Sequence, residues 1–291
     1  MMTAFERAKS LGFWSGPVNP VQIKGGITNA NFRVDSGDKR YFVRIGDDIP
    51  VHGVMRFNEL AASRAAARCG LSPQVRHAEP GALVFDFIEA RTYGAEDVRE
   101  RSNLERILPL IQRCHRDMPR EVRGPALIFW VFHVLRDYAH SLKDGNSRHL
   151  PALARLMRIA EDLEEMVGPV DIVYGHNDLL PSNLLDDGQR LWLIDWDYAG
   201  FNSPLFDLAN LCSNNELDLT SEIWLLEAYF GRRADDNLLR RYGAMKCASL
   251  LRETLWSMIS EIHSTLDFDY AAYTAENLAR FERAYTDLSH R

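Results

Sequence analysis

Cysteine is scarce: Cys69, Cys114, Cys212 and Cys247 are the only four in 291 residues, and no two stand at metal-ligand or redox spacing. Scattered thiols of this kind fit a reduced, cytosolic protein rather than a disulfide scaffold. Positive charge is also short. Asp and Glu number 41 against 34 Lys and Arg, the formal net charge is −7, and basic runs are absent. That balance argues against a nucleic-acid partner. Long apolar runs are missing too. The longest, Ala126–Leu135, contains His133 and is too short for a bilayer, so it reads as a buried helix and membrane insertion is not expected. Residues 1–10 carry Glu6, Arg7 and Lys9 among few apolar side chains, which does not suit a signal peptide. The expected compartment is cytoplasmic. No repeat or low-complexity segment interrupts the chain. What remains is an ordinary globular composition, 46% hydrophobic and 26% charged, long enough for two lobes around a shared cleft.

The pattern changes along the chain. Residues 21–88 are strand-rich, with β-type runs at Asn31–Val34, Tyr41–Ile45 and Leu83–Ile88 and a turn signal at Asp35–Asp38. One alanine-rich helix, Arg56–Cys69, interrupts them and stops at Gly70. Beyond Ile88 the spacing turns helical. Leu104, Ile107, Leu108 and Ile111 share a helix face, and further helices are expected over Phe129–Lys143, Leu150–Met166, Thr220–Phe230, Asn237–His263 and Ala275–Leu288. Asp171–Asn215 reads differently, as short apolar strands separated by polar loops rich in Asp and Asn. It suggests an active-site insert on a helical frame, with a hinge near Glu89–Thr92.

That insert carries His176-Asn177-Asp178, then Asn183, then Asp195 at the end of the apolar run Leu191–Ile194. Phosphoryl transfer asks a protein mainly to position groups and neutralise charge. A carboxylate must orient the attacking hydroxyl and take its proton, and oxygen ligands must hold Mg²⁺ on the phosphates. Asp178 offers the first group. Asn183, five residues on, and Asp195 offer the metal ligands. The arrangement is that of the protein-kinase-like catalytic loop, H-x-D-x-x-x-x-N followed by a strand-end Asp. A single Asp or Asn is ordinarily a turn or cap residue; three at this spacing beside short apolar strands point to chemistry.

Two upstream features fit a nucleotide. Gly25-Gly26-Ile27-Thr28-Asn29 lets backbone amides and small polar side chains approach phosphates, although Gly-Gly alone is usually a turn. Arg44 is the only charge in the apolar run Tyr41–Ile45, and Glu59 on the following helix is its natural partner. His115-Arg116-Asp117 imitates the catalytic triplet, but no Asn follows five residues after Asp117 and His115 continues an apolar helix face, so it reads as structural.

The chain resembles the choline/ethanolamine kinase family, within the aminoglycoside-phosphotransferase-like group of the protein-kinase-like fold. The resemblance rests on Gly26–Asn29, Val43–Ile45, His176–Asp178 with Asn183, Ile194–Asn202, Phe206–Asn210, Leu255–Ser257 and Asp267–Tyr273. It implies an α+β fold of two lobes: a small N-terminal antiparallel β-sheet lobe, 1–88, and a larger, mainly helical C-terminal lobe, 89–291. It implies ATP and Mg²⁺ as cofactors, adenine held by backbone near Phe87 and Ile88, Asp178 as base, and Asn183 and Asp195 as metal ligands. It also implies that Asp207 braces the catalytic loop. The partner is a small amino-alcohol substrate bound near Asp197, Tyr198, Glu253, Trp256 and Tyr273, where aromatic faces suit an ammonium; a homodimer is left open. Glu253 stands where the family often has a second Trp, and Asn214 where it often has an acid, with Glu216 nearby. A carboxylate in place of an indole favours a cation with N–H donors over a fully methylated one.

Other readings stay open. The acceptor could be an aminoglycoside, thiamine or another hydroxylated amine. A nucleotide-binding pseudokinase is a reading of another class, against which the retained Asp178, Asn183 and Asp195 argue. A protein kinase would need an Ala-Pro-Glu and a long activation segment. A zinc hydrolase would need more ligands than His176.

Overall fold

The structure is a computed structural model that describes residues 2–23, 29–264 and 266–290. The N-terminal part holds helix α1 (Ala4–Lys9) and strands β1 (Val21–Ile23), β2 (Ala30–Ser36) and β3 (Lys39–Ile45), then helix α2 (Arg56–Arg68) and strands β4 (Val75–Glu79) and β5 (Ala82–Asp86). The five strands form one antiparallel sheet in the order β1-β2-β3-β5-β4. Gly37, at a φ of +60°, supplies the left-handed residue that the tight β2–β3 turn needs. Alternation then sends Phe32, Val34, Tyr41, Val43 and Ile45 to one face, where they pack with Ala8 and Leu11 of the N-terminal segment.

The remainder begins with β6 (Arg91–Thr92), α3 (Ala95–Arg99), α4 (Arg101–Glu121), α5 (Val131–Asp144) and α6 (Leu150–Val167). Four short strands follow: β7 (Val173–Gly175), β8 (Leu184–Asp186), β9 (Leu191–Leu193) and β10 (Gly200–Asn202). The chain closes with α7 (Pro204–Asn215), α8 (Leu219–Phe230), α9 (Asp236–His263) and α10 (Tyr270–Ser289). Helix α9 is the central post, packed by α5, α6, α7 and α10. Strand β7 pairs with β10, and β8 lies between β6 and β9, so two small sheets grip the loop between β7 and β8.

Apolar packing does not follow the strand–helix division of the chain. Helix α2 buries Ala62, Ala65 and Ala66 in the large core with Leu104, Ile107 and Ile111 of α4, not in the sheet's own cluster. Small side chains let it approach α4 closely. Just after α2, Leu71 O accepts a 2.9 Å bond from Leu193 N, and Trp196 Nε1 donates to Ser72 Oγ at 2.7 Å. The segment that carries Asp195 is thus pinned to the end of α2.

The structure corrects several boundaries. The segment expected as strands and loops up to Asn215 ends in a helix, α7. Ser203 caps it by accepting from Leu205 N, Pro204 fits its first turn, and nearly all of its side chains are buried, which erased any helical periodicity. Ala126–Leu135 is helical only from Val131, and Ile128 instead bridges to Phe201. Helix α10 starts at Tyr270, capped by Asp269, and not at Ala275. Strand β5 stops at Asp86, before the expected Ile88. Strand β4 went unread because Arg76, His77 and Glu79 give an edge strand a polar look. Among the described residues no helix is long and apolar enough to cross a membrane.

Gly200 packs against backbone. A Cβ there would lie 2.8 Å from Leu127 O, with no side chain able to give way. Gly200→Ala is expected to cost about 1–3 kcal/mol in urea denaturation; an unchanged midpoint would contradict this close packing.

Candidate active site

The loop from His176 to Asn183 is held from behind by one buried carboxylate. Asp207, on α7, accepts from the amides of His176 (2.8 Å) and Asn177 (2.7 Å), and pairs with His115 Nε2 at 2.9 Å. His115 also meets the Tyr229 hydroxyl at 2.7 Å, so it serves structurally, supporting through Asp207 the loop that carries Asp178. Asn177 takes a left-handed φ of +65°, which Asn tolerates better than most residues. Its side chain explains why it is there: Nδ2 donates to Tyr198 O at 2.9 Å, and Oδ1 accepts from Asn202 at 3.0 Å. Asn210 accepts from Leu179 N at 2.6 Å. Asn183 Nδ2 donates to Asp178 O at 2.9 Å, which leaves its side-chain oxygen as the atom to offer a cation. Ile194 N donates to Asn183 O at 3.0 Å, and His176 Nε2 donates to Ile194 O at 2.9 Å, so Asp195 is carried beside this loop.

Asp195 also has a left-handed backbone, φ +68°. A buried charge cluster fixes its side chain. Arg44 Nη1 donates to Glu59 (2.6 Å), Asp195 (2.9 Å) and Asp197 (3.1 Å). Arg56 Nη1 donates to Glu59 (2.6 Å) and Asp197 (2.8 Å), and Arg56 Nη2 to Asn29 Oδ1 (2.8 Å). The expected Arg44–Glu59 pair is present. Arg56, at the first position of α2, was not singled out; Glu59 three residues later was the available signal. Exposure separates the roles: the Asp195 side chain is 27% exposed, against 5% for Asp197 and 1% for Glu59. Asp195 is therefore the member of the cluster that reaches the cleft.

The carboxyls are driven apart electrostatically. For Asp178 burial dominates; the charge of Arg252 opposes it, while Glu253, Asp195 and Asp197 add to it, and the pKa is pushed up to about 8. Burial acts on Asp195 as well, but Arg44 outweighs it and holds the carboxyl below the usual range. Asp197 is raised by burial and then by the charge of Asp195. Burial of Asp207 is overcome by its bond to His115, which keeps it low.

Among the residues expected to meet the acceptor, Trp256 Nε1 donates to the Tyr198 hydroxyl at 2.9 Å, and the Tyr273 hydroxyl donates to Glu253 at 3.1 Å. Asp197, expected in this group, has its carboxylate in the arginine cluster instead, where it accepts from Arg44 and Arg56. Phe87 was expected to offer backbone to a nucleotide. Its amide donates to Arg40 O at 3.2 Å and so belongs to strand pairing, while its half-buried ring lies under the Arg40 guanidinium. Ile88 is half-buried beside it. Gly25, Gly26 and Thr28 lie outside the described residues. Asn29 is tied to Arg56 and, at 3.3 Å, to Asp197. Three residues near this wall went unread. Arg252 is 2% exposed and bonds Glu253 at 2.8 Å. His52 stacks on Trp256 at 4.9 Å between centroids, with burial depressing its pKa to about 3. Tyr138 packs edge-on against His52. Tertiary contact brings His52 and Tyr138 to the wall, whereas Arg252 precedes Glu253 on α9.

The pattern described as choline/ethanolamine kinase matches residues 21–227. The chain belongs to the choline/ethanolamine kinase family. It is accordingly a small-molecule kinase that phosphorylates an alcohol. Among curated relatives of this family member, Protein LicA of Haemophilus influenzae is 27% identical over 264 residues, covering 87% of the chain and 76% of the relative. Ethanolamine kinase 2 of Mus musculus is 26% identical over 301 residues, covering 94% and 77%. Among solved structures, a choline/ethanolamine kinase family protein from Mesorhizobium loti superposes with a TM-score of 0.78 at 29% identity, covering 98% of this chain and 95% of that one. The two-lobe kinase-like fold expected from the sequence is thus shared with solved members of the family.

The raised Asp178 carboxyl has a consequence for stability. With a folded pKa of about 8 against an ordinary 3.8, folding takes up a proton between these values, so the ionised group weakens the fold increasingly as pH rises. Asp178→Asn is expected to raise the urea midpoint without nucleotide or metal. The gain should be full above pH about 8 and vanish below 3.8. A pH-independent or absent gain would contradict this environment.

Proposed function

We propose that this kinase transfers the γ-phosphoryl of Mg·ATP to the hydroxyl of a small amino alcohol of the choline or ethanolamine kind. One observation carries the reading. Asp178 and Asn183 stand on a braced loop, and the Arg44–Glu59 cluster holds Asp195 next to that loop with its carboxylate open to the cleft. Residues 1–88 would serve the nucleotide and residues 89–291 the acceptor and the chemistry, with the hinge near Glu89.

Asn183 and Asp195 offer hard oxygen donors, one neutral and one anionic. That set suits Mg²⁺, which takes few protein ligands and fills the rest with phosphate and water oxygens. When bound, the ion neutralises charge on the phosphates and orients them. Arg44 adds a fixed cation on the nucleotide side, with Glu59 anchoring its Nη1. Asp178 receives the acceptor hydroxyl. As the hydroxyl oxygen bonds to the γ-phosphorus, the bond from that phosphorus to the β–γ bridging oxygen breaks. The hydroxyl proton passes to Asp178, and ADP and a phosphomonoester leave. A carboxyl raised by burial is a better base once ionised than one in water, which is what this step needs.

The test is ADP release with Mg·ATP against choline, ethanolamine, thiamine, an aminoglycoside and no acceptor. Acceptor-dependent turnover is expected with an amino alcohol. Asp178→Asn should lower kcat roughly 100- to 10,000-fold while leaving ATP affinity nearly intact. Near wild-type turnover in that variant would remove Asp178 from the mechanism.

A further inference from the structure

One nitrogen of Arg44 faces more acceptors than it has hydrogens. Nη1 carries two, and three carboxylates lie within bonding reach of it: Glu59 Oε1 at 2.6 Å, Asp195 Oδ1 at 2.9 Å and Asp197 Oδ1 at 3.1 Å. One of the three must take a weak share, and the longest contact is that of Asp197. Arg56 makes up the difference. Its Nη1 meets two carboxylate oxygens, Glu59 Oε2 at 2.6 Å and Asp197 Oδ1 at 2.8 Å, one for each hydrogen. Asp197 therefore lies closer to Arg56 than to Arg44, and the hydrogens of Arg44 Nη1 stay with Glu59 and Asp195.

Arg56 is itself fixed from outside the cluster. Its amide donates to Asp48 Oδ1 at 2.7 Å, its Nε to Asp47 O at 3.0 Å and its Nη2 to Asn29 Oδ1 at 2.8 Å. Asn29 also donates to the second oxygen of Asp197, at 3.3 Å. Gly46 makes room for this arrangement, because a Cβ there would overlap Asn29 Oδ1. A planar fork held in this way supplies direction as well as charge. The two arginines are therefore not equivalent. Arg44 bonds Asp195 directly, whereas Arg56 reaches it through Asp197 and Glu59.

We infer that Arg56 is a positioning residue for phosphoryl transfer: by drawing Asp197 away, it keeps Asp195 on Arg44 with the rest of that carboxylate open to a metal ion in the cleft. This rests on the phosphotransferase reading above. Without Arg56, Asp197 falls back on Arg44 Nη1 and competes with Asp195 for the same hydrogen. The cluster is then left with one cation against three carboxylates instead of two. Removing the charge of Asp197 as well ends the competition and restores the original excess of one negative charge. The second substitution should therefore undo the first, whereas two merely structural lesions add.

Binding reads this without turnover. ADP affinity of the full chain is measured by calorimetry with Mn²⁺ and again with EDTA. The ratio of the two reports the metal bridge rather than the remainder of the nucleotide site. Arg56→Gln should lower that ratio about 10- to 100-fold, or to unity. Adding Asp197→Asn to Arg56→Gln should recover most of it, and kcat should follow the same order. Arg56→Lys keeps the charge without the fork and should fall between; it is the variant to set against the double one if Arg56→Gln does not fold. A ratio unmoved by either change at Arg56, or a double variant worse than the single one, would overturn the inference and leave the kinase reading standing. ADP affinity indifferent to Mn²⁺ in the unaltered protein would overturn both.

Discussion

Arg44 ties the site together. Its guanidinium joins strand β3 to Glu59 of α2 and to Asp195 and Asp197 of the segment after β9, with Arg56 completing the cluster. Two cations and three carboxylates are taken from water together, a desolvation that only mutual attraction can offset. Such a cluster contributes less to net stability than to geometry, because removing one member strands the others. It fixes how the sheet sits against the helices, and it holds Asp195 in a backbone conformation that few residues adopt. Strain of that kind persists where surrounding contacts over-determine it, which is typical of sites that do chemistry.

A second constraint works on the other side of the cleft. Asp207 binds two consecutive amides of the loop and takes its own support from His115 and, through it, Tyr229. Asp178, Asp195 and Asp207 are the same residue type held in three protonation environments by their surroundings. Burial without a bonded cation raises Asp178, a direct bond to Arg44 lowers Asp195, and amide and imidazole donors lower Asp207. The roles proposed for them, a proton acceptor, a metal-facing anion and a structural brace, need that ordering.

The parts legible in the sequence were those fixed by short-range spacing. Asp178, Asn183 and Asp195 lie on consecutive strand ends, and Arg44 with Glu59 on consecutive elements, so local pattern pointed to them. The wall expected to meet the acceptor is built differently, from α5, α9 and the turn at His52; Arg252 stood beside Glu253 in the chain, but nothing near Tyr138 or His52 marks them as its neighbours. Asp197 adjoins Tyr198 in the chain, but its carboxylate is taken up by Arg44 and Arg56, cations that only tertiary contact brings to it. Helix α7 escaped because a helix buried all round has no periodicity to read.

The central claim, that this chain joins phosphate to an alcohol oxygen, is tested most directly by following the phosphorus itself. Phosphorus NMR of the protein with Mg·ATP and an amino-alcohol acceptor should show a phosphomonoester signal growing in step with the ADP signals. ATP loss with only inorganic phosphate produced, or no loss of ATP with any acceptor, would contradict the account.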